Sequence, residues 1–349
     1  MTDASTNLMK AISQTEKGPS SVLKVIEVPK PTARGHDLVV KIKAVSVNPL
    51  DILVRKSPEA FSIKDKHVIA GWDASGTVEA VGERVTRFEI GDEVFFAGSL
   101  NRPGSNAEYA LVDERITGHR PKSLSWEDAA ALPLTSLAAW EALVEKMRIP
   151  VATSSETNPK SLLIIAGAGG VGSIAISIAS KILNLSTVVA TASRPETAEY
   201  CKARGATHII NHREPLRPQL DKAGIAVDYV FICYDADQYI VQAFDLVKPL
   251  GHVVSIASLS ENVSLGKWRM KSVSFSWEAM FTKSITGECI ETQGHILDEI
   301  SRRVDQGLLQ TTASQRYRFN VENLKMAHDL VESGKGAGRI VLRVEDTDW

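Results

Sequence analysis

The stretch SLLIIAGAGGVGSIAISIASKIL, Ser161 to Leu183, decides how this chain is read. A short apolar run meets Gly167, Gly169 and Gly172 at G-x-G-x-x-G spacing, and a helix-like apolar pattern follows. That order describes a buried parallel strand entering a helix through a glycine turn. Glycines let the backbone approach a pyrophosphate closely, and the unpaired N–H groups at the helix start face its charge. Two other readings compete. By length and apolarity the stretch resembles a membrane span, but four glycines interrupt it, Lys181 closes it, and Ser186 to Ala192 is already the next apolar run. A glycine turn without a ligand is the second, and context has to decide.

Outward from the turn, strand and helix patterns alternate. LLIIA leads to the glycine turn, STVVATA to a helix across PETAEYCKARG, and THIIN to VDYVFICY. A helix across DQYIVQAFDLV then leads to HVVSIAS. Such alternation predicts an α/β unit with a doubly wound parallel sheet and right-handed crossovers. It favours a nucleotide-binding turn over a bare one. Before it, Leu8 to about Val112 is rich in β-branched residues bounded by Pro and Gly, which predicts a small, mostly antiparallel β unit. SWEDAAALPLTSLAAWEALVEKM reads as two helices split at Pro133, ILDEISRRVDQGLL as a helix closing near Gly307, and YRFNVENLKMAHDLVESGKGAGRIVLRV as strand, helix, turn, strand.

The chain has 349 residues, which is long for one hydrophobic core and suggests two domains. With 44% hydrophobic and 23% charged residues it has globular composition. A net charge of −2 gives no basic excess for nucleic acid or an anionic membrane. The polar start MTDASTNLMK lacks the apolar core of a signal peptide. Cys201, Cys233 and Cys289 form no CxxC pair, and their odd number argues against a disulfide framework, so a reduced, cytoplasmic protein is expected.

In a turn of this kind a carboxylate about 20 residues on selects NAD through the adenosine ribose. Here the second strand ends in Ser193-Arg194. A hydroxyl and a guanidinium suit a 2′-phosphate, so NADP(H) is expected; a solvated arginine at a helix start is the alternative.

The motifs KAVSVNPLD (43–51), GWDASGTVEAVG (71–82), GDEVFFAG (91–98), SNAEYALV (105–112), AALPLTSLAAWEAL (130–143), GAGGVG (167–172) and GATHIINHRE (205–214) extend the pattern over nearly the whole chain. Together they resemble the medium-chain dehydrogenase/reductase superfamily, in its zinc-type alcohol dehydrogenase-like, quinone oxidoreductase-like branch. RPGSNAEYALVDERI (102–116) and SFSWEAMF (274–281) are similar to runs of that branch. The resemblance implies a GroES-like catalytic domain over 1–133 and 308–349, a Rossmann NADP(H)-binding domain over 134–307, and a homodimer. In family alcohol dehydrogenases a Cys in the first motif and a His-Glu pair in the second hold catalytic zinc. Here those positions are Asn48 and Trp72-Asp73, which cannot supply thiolate and imidazole. No Cys precedes Cys201, so the four-cysteine structural lobe is missing too. No zinc is expected.

Without a Lewis acid on oxygen, conjugated acceptors are the easier substrates, because hydride adds to an electron-poor carbon and hydrogen bonds stabilise the oxygen charge. The expectation is an NADPH-dependent reductase of quinones or α,β-unsaturated carbonyls. A carbonyl/alcohol oxidoreductase and a non-catalytic NADPH-binding protein stand as alternatives. The resemblance puts Asn48 and Asp51 at active-site positions, Asn48 bonding a substrate oxygen or the nicotinamide side and Asp51 orienting it or relaying a proton; an ordinary Asn-Pro turn is the alternative. Trp72 and Asp73 would line the substrate pocket, or simply pack in the core. Tyr109 is a candidate proton donor, or a structural strand residue. Thr135 matches a cofactor-facing threonine, or a helix cap. Gly169, Gly170 and Val171 would follow the pyrophosphate. Cys233, Ile256 and Ala257 end parallel strands, where ligands bind. Phe275 and Trp277 would close over the nicotinamide, with Trp277 also facing substrate. Lys335 and Arg339 resemble late cofactor contacts.

Overall fold

In a computed structural model of the chain, residues 7–63, 66–153, 156–260 and 262–345 are described. The β-branched first third forms strands β1 (Leu8–Ser13), β2 (Lys24–Pro29) and β3 (Asp37–Val47), helix α1 (Pro49–Lys56), strands β4 (Ala74–Val81), β5 (Glu93–Phe96), β6 (Tyr109–Asp113) and β7 (Thr117–His119), and helix α2 (Trp126–Ala130). Pro133 opens α3 (Pro133–Trp140), which runs on through a π-helical turn, Glu141–Lys146. The alternating part follows as β8 (Asn158–Ile165), α4 (Gly170–Lys181), β9 (Leu185–Thr191), α5 (Pro195–Ala203), β10 (His208–Ile210), α6 (Leu216–Lys222), β11 (Val227–Ile232), α7 (Ala236–Leu246), β12 (Val247–Ser255) and β13 (Ser274–Trp277). The chain ends with α8 (Phe281–Thr286), α9 (Glu291–Asp305), β14 (Ala313–Arg318), α10 (Val321–Glu332) and β15 (Arg339–Arg343).

Two compact units result, residues 1–134 with 281–349 and Thr135–Met280. In the second, six strands lie in the order β10-β9-β8-β11-β12-β13, all parallel. The β8 run Leu162–Ile165 is buried on both faces, as a central parallel strand requires. Leu163, Ile165, Val189, Val230 and Ile232 meet Tyr239, Ile240 and Phe244 of α7 in one core. This is the Rossmann sheet expected from the glycine turn. SFSW supplies its sixth strand, β13, paired to β12 with Ser255 opposite Trp277.

The first unit carries a mostly antiparallel GroES-like sheet in the order β14-β15-β3-β4-β5-β7, with β6 also paired to β3. Its core gathers Leu38, Val40 and Ile42 of β3 with Val78, Val94, Phe319 and Leu342. Segment 281–307, assigned from sequence to the dinucleotide-binding domain, lies in this first unit instead. A Cβ built on Gly118 of β7 would stand 2.5 Å from Leu297 Cβ, so only glycine admits α9 this closely. Arg87 Nη2 and the His119 N–H both donate to Asp298 of that helix at 2.8 Å. An amphipathic pattern shows that one face is buried, and not which sheet it covers.

Helices α1 and α10 of this unit are joined by a buried arginine. Arg55 donates from Nε to Gly18 O at 3.0 Å and from Nη1 to His328 Nδ1 at 3.1 Å, and pairs with Glu332. A guanidinium can only donate, so His328 Nδ1 accepts and the ring is neutral. Burial, and then the Arg55 charge, push the His328 pKa down to about 3. A depressed histidine contributes stability above the unfolded pKa near 6.5, and that contribution is lost as pH falls towards 3. By linkage the whole window amounts to roughly 5 kcal/mol. His328→Gln, which still accepts from Arg55 but does not titrate, is expected to flatten the fall of the melting temperature between pH 6.5 and 4. An unchanged slope would show that His328 does not drive it.

Candidate functional site

In the second unit, the turn after β8 is built by exclusion. A Cβ on Gly172 would lie 2.3 Å from Ala166 O, and one on Gly167 2.7 Å from Ala190 Cβ. Ala166 takes a left-handed φ of 62° to make the corner. Thr191 of β9 accepts the Ala166 N–H on Oγ1 at 2.9 Å and the Gly167 N–H on its carbonyl at 3.1 Å. Gly169 caps α4 and is exposed. The N–H groups of Gly170, Val171 and Gly172 occupy the first helical turn, where no partner exists along the helix. A phosphate fits these donors and this open glycine face.

Further strand ends lie along the same edge. Ser193 and Arg194 follow β9, with Arg194 capping α5 and its Nε 3.3 Å from Glu196 Oε1. His212 follows β10, and its pKa is lowered by burial and by the charges of Arg213 and Arg194. His212 is therefore a neutral ring beside the Arg194 and Arg213 charges, a neighbour the sequence reading missed because it sits one strand away. Cys233 follows β11; burial pushes its thiol up, which keeps it protonated and poorly nucleophilic. After β12, Ser255 Oγ donates to Ala257 O at 2.8 Å and accepts the Ala257 N–H at 3.1 Å, holding the Ile256-Ala257 corner. Phe275 packs edge-on to Trp277, with centroids 4.9 Å apart, and Trp277 is exposed. Thr135 is buried in α3. Asn48, Lys335 and Arg339, also expected near the cofactor, belong to the first unit; Lys335 lies exposed in the loop before β15.

In the first unit, Asn48, Asp51 and Asp73 meet in a buried polar network. Asn48 precedes α1, and Asp51, in its first turn, accepts the Asn48 N–H on Oδ2 at 2.6 Å and the Gly71 N–H on Oδ1 at 2.9 Å. Asp73 Oδ1 accepts the Leu134 N–H at 2.7 Å. Asp73 Oδ2 accepts from Asn48 Nδ2 at 2.9 Å and from Arg339 Nη2 at 2.8 Å. Arg339 Nε completes the set by donating to Ser46 Oγ at 3.2 Å. All five side chains are more than 95% buried. Burial raises the pKa of Asp51 to about 6 and of Asp73 to about 7, although the Arg339 charge opposes both shifts. Desolvation likewise lowers the Arg339 pKa.

Three sequence expectations change here. Arg339, read as a late cofactor contact, points inward to Asp73. Its signal was present as a charged residue opening the apolar strand RIVL, since a buried carboxylate needs a cation. Trp72 packs with Val54, Val68 and Ala70 and edge-on to Phe281, with its Nε1 donating to Ser99 O at 3.4 Å, so it is a core residue and no exposed pocket wall. Tyr109 lies on β6 opposite Lys41, beneath the Lys30 ammonium at 3.7 Å, and packs with Met9, Ala11, Ile69 and Ala107. That cluster is separate from the Asn48 network.

Comparison with known proteins finds family matches in both units. A family model described as alcohol dehydrogenase GroES-like domain matches residues 34–122, and one described as zinc-binding dehydrogenase matches 204–342. A zinc-type alcohol dehydrogenase-like protein of Staphylococcus aureus is 40% identical over 327 residues, 93% of this chain and 96% of the relative. A 2-methylene-furan-3-one reductase of Solanum lycopersicum is 29% identical over 96% of this chain and 79% of its own. The solved quinone oxidoreductase of Coxiella burnetii superposes with a TM-score of 0.77 at 26% identity, covering 97% of this chain and all of the other.

The zinc named by the second family description does not fit the residues at the matching positions. Asn48 offers no thiolate, Trp72 no lone pair, and the Asp73 oxygens already accept three hydrogen bonds. The Arg339 guanidinium 2.8 Å from Asp73 would repel a dication. Among the described residues, no group of three or more His, Cys, Asp or Glu side chains stands ready for a metal, and no helix is long and apolar enough to cross a membrane. The chain belongs to the medium-chain dehydrogenase/reductase superfamily, an NAD(P)-binding family of oxidoreductases, among its zinc-type alcohol dehydrogenase-like and quinone oxidoreductase-like members.

Proposed function

We propose that the chain is an NADPH-dependent, zinc-independent reductase of quinones or α,β-unsaturated carbonyls. The observation that carries this reading is the Asp73–Arg339 pair, a protein cation bound by the side chains that would otherwise face a metal. A buried guanidinium polarises nothing by coordination, so substrates already activated by conjugation are favoured. The reductase and quinone oxidoreductase relatives support the same substrate class. Bound NADPH supplies the hydride. The Gly170, Val171 and Gly172 N–H groups hold its pyrophosphate, and Arg194, assisted by the nearby Arg213 charge, which like its own presses on the His212 ring, binds the 2′-phosphate.

Steady-state assays with NADPH against quinones, enones and saturated aldehydes or ketones test the proposal. Turnover of quinones or enones is expected, unaffected by chelators. Turnover of saturated carbonyls alone, or none across the panel, would sink it. Arg194→Ala is expected to weaken NADPH binding by about tenfold or more, since a charge-assisted contact is lost, while NADH binding changes less than twofold. Equal weakening of both would remove Arg194 from 2′-phosphate recognition.

A further inference from the structure

The glycine turn of the second unit leans on one side chain outside its own motif. Strands β8 and β9 stay paired as far as Ile164 and Ala190. Just past β8, Ala166 turns the chain with a left-handed φ of 62°. A residue with a Cβ is strained in that conformation, because the Cβ crowds the following carbonyl, so its neighbours have to hold it there. Three hydrogen bonds do so. Ala166 N–H donates to Thr191 Oγ1 at 2.9 Å, Gly167 N–H donates to Thr191 O at 3.1 Å, and Ala166 O accepts the Gly169 N–H at 3.1 Å. Only the first depends on the identity of a side chain. Valine has the same shape as threonine and suits a buried strand equally well. The sheet therefore does not require a hydroxyl at the end of β9, whereas the Ala166 N–H has no other acceptor among the described residues.

The Ala166 carbonyl is the pivot of the turn. It takes up the Gly169 N–H, so the open donors of α4 begin at Gly170. It also excludes a Cβ at Gly172, which would stand 2.3 Å away. The direction of Ala166 thus sets the direction of the Gly170, Val171 and Gly172 N–H groups.

We propose that Thr191 is a positioning residue for the dinucleotide. Its hydroxyl holds Ala166 in the left-handed corner and, through that corner, aims the start of α4 at the pyrophosphate. Thr191 is only 1% exposed, so it acts through Ala166 and does not touch the ligand. The inference rests on the cofactor reading above only for the pyrophosphate, which NADP(H) and NAD(H) share.

Calorimetry on the whole protein tests it with NADP+, NAD+ and adenosine 2′-phosphate, which keeps the adenosine end of NADP+ and has no pyrophosphate. Thr191→Val is expected to weaken NADP+ and NAD+ alike, by about tenfold, the order set by one lost hydrogen bond. Adenosine 2′-phosphate is expected to lose less than about twofold. Thr191→Ser keeps an acceptor and is expected to stay within about twofold of the wild type for all three ligands. Thr191→Ala removes the acceptor without pressing a methyl group on the Ala166 N–H; it is expected to repeat the pattern of Thr191→Val and carries the test if that variant does not fold.

Equal losses for all three ligands would make Thr191 a structural residue and overturn the proposal. Wild-type affinities in Thr191→Val and Thr191→Ala, or a loss in Thr191→Ser as large as theirs, overturn it too. A wild type that binds NAD+ as tightly as NADP+ overturns the 2′-phosphate reading alone, and the dinucleotide losses still decide the role of Thr191. A wild type that binds neither dinucleotide overturns both.

Discussion

Arg339→Met is expected to destabilise the first unit by about 3–5 kcal/mol at pH 8, the usual cost of leaving one partner of a buried ion pair alone, and by far less at pH 5. The dependence on pH follows from Asp73. Its carboxyl already sits near 7, raised by burial against the pull of Arg339. Without the guanidinium it rises further, and below that value the side chain takes a proton and stops being an uncompensated charge. The sign is the one proper to a raised carboxylate. Its stabilising contribution is full below the unfolded pKa near 3.8 and is lost as pH rises through the folded value. Asp51, raised to about 6, adds in the same direction. Urea unfolding followed by tryptophan fluorescence at pH 5, 6, 7 and 8 would read the effect. The Arg339→Met/Asp73→Asn double variant should recover much of the loss, since it removes both charges. Equal destabilisation at pH 5 and pH 8 would show that Asp73 is not the group left exposed to the change.

Gly172→Ala is expected to weaken NADPH binding about a hundredfold, with a stability loss of about 1–3 kcal/mol from overpacking. The new methyl would stand 2.3 Å from Ala166 O and 2.8 Å from Gly167 Cα. Both are backbone atoms, and both belong to the corner that aims the helix start. The turn has to open, which moves the Gly170 and Val171 N–H groups off the pyrophosphate. Losing two charge-assisted hydrogen bonds accounts for an effect of that order. Gly169→Ala is the control. Its nearest neighbour would be Ala166 O at 3.3 Å and its φ is −70°, so the fold accommodates it with little loss of stability. Any effect there comes from the methyl group meeting the ligand. Fluorescence titration with NADPH, beside thermal melts of both variants, separates the two roles. Wild-type affinity in Gly172→Ala would dismiss the turn as the phosphate site.

Much of the second unit was legible because its determinants are local. A glycine that admits no Cβ, an apolar run buried on both faces and a helix-period stripe each declare themselves within a dozen residues. The place of Ser193-Arg194 at the end of a strand was legible for the same reason, since it directly follows β9. The first unit was legible as a β-rich fold but not as a site. Trp72 and Tyr109 carry chemistry that suits a pocket, and the fold spends both on packing. Their type says what they can do, while burial and neighbours decide what they do.

The amino-acid sequence alone determined the α/β class, the position of the 167–172 turn, and the absence of thiolate and imidazole at Asn48 and Trp72-Asp73. These are properties of residue type and short-range backbone sterics. The tertiary structure alone decided that α9 covers β7, and that Arg339 meets Asp73 across 266 positions of chain. It also decided that the Asn48 amide group faces Asp73 and the Trp72 carbonyl. A buried charge can be satisfied by any cation the fold brings to it, and spacing along the chain does not say which one arrives.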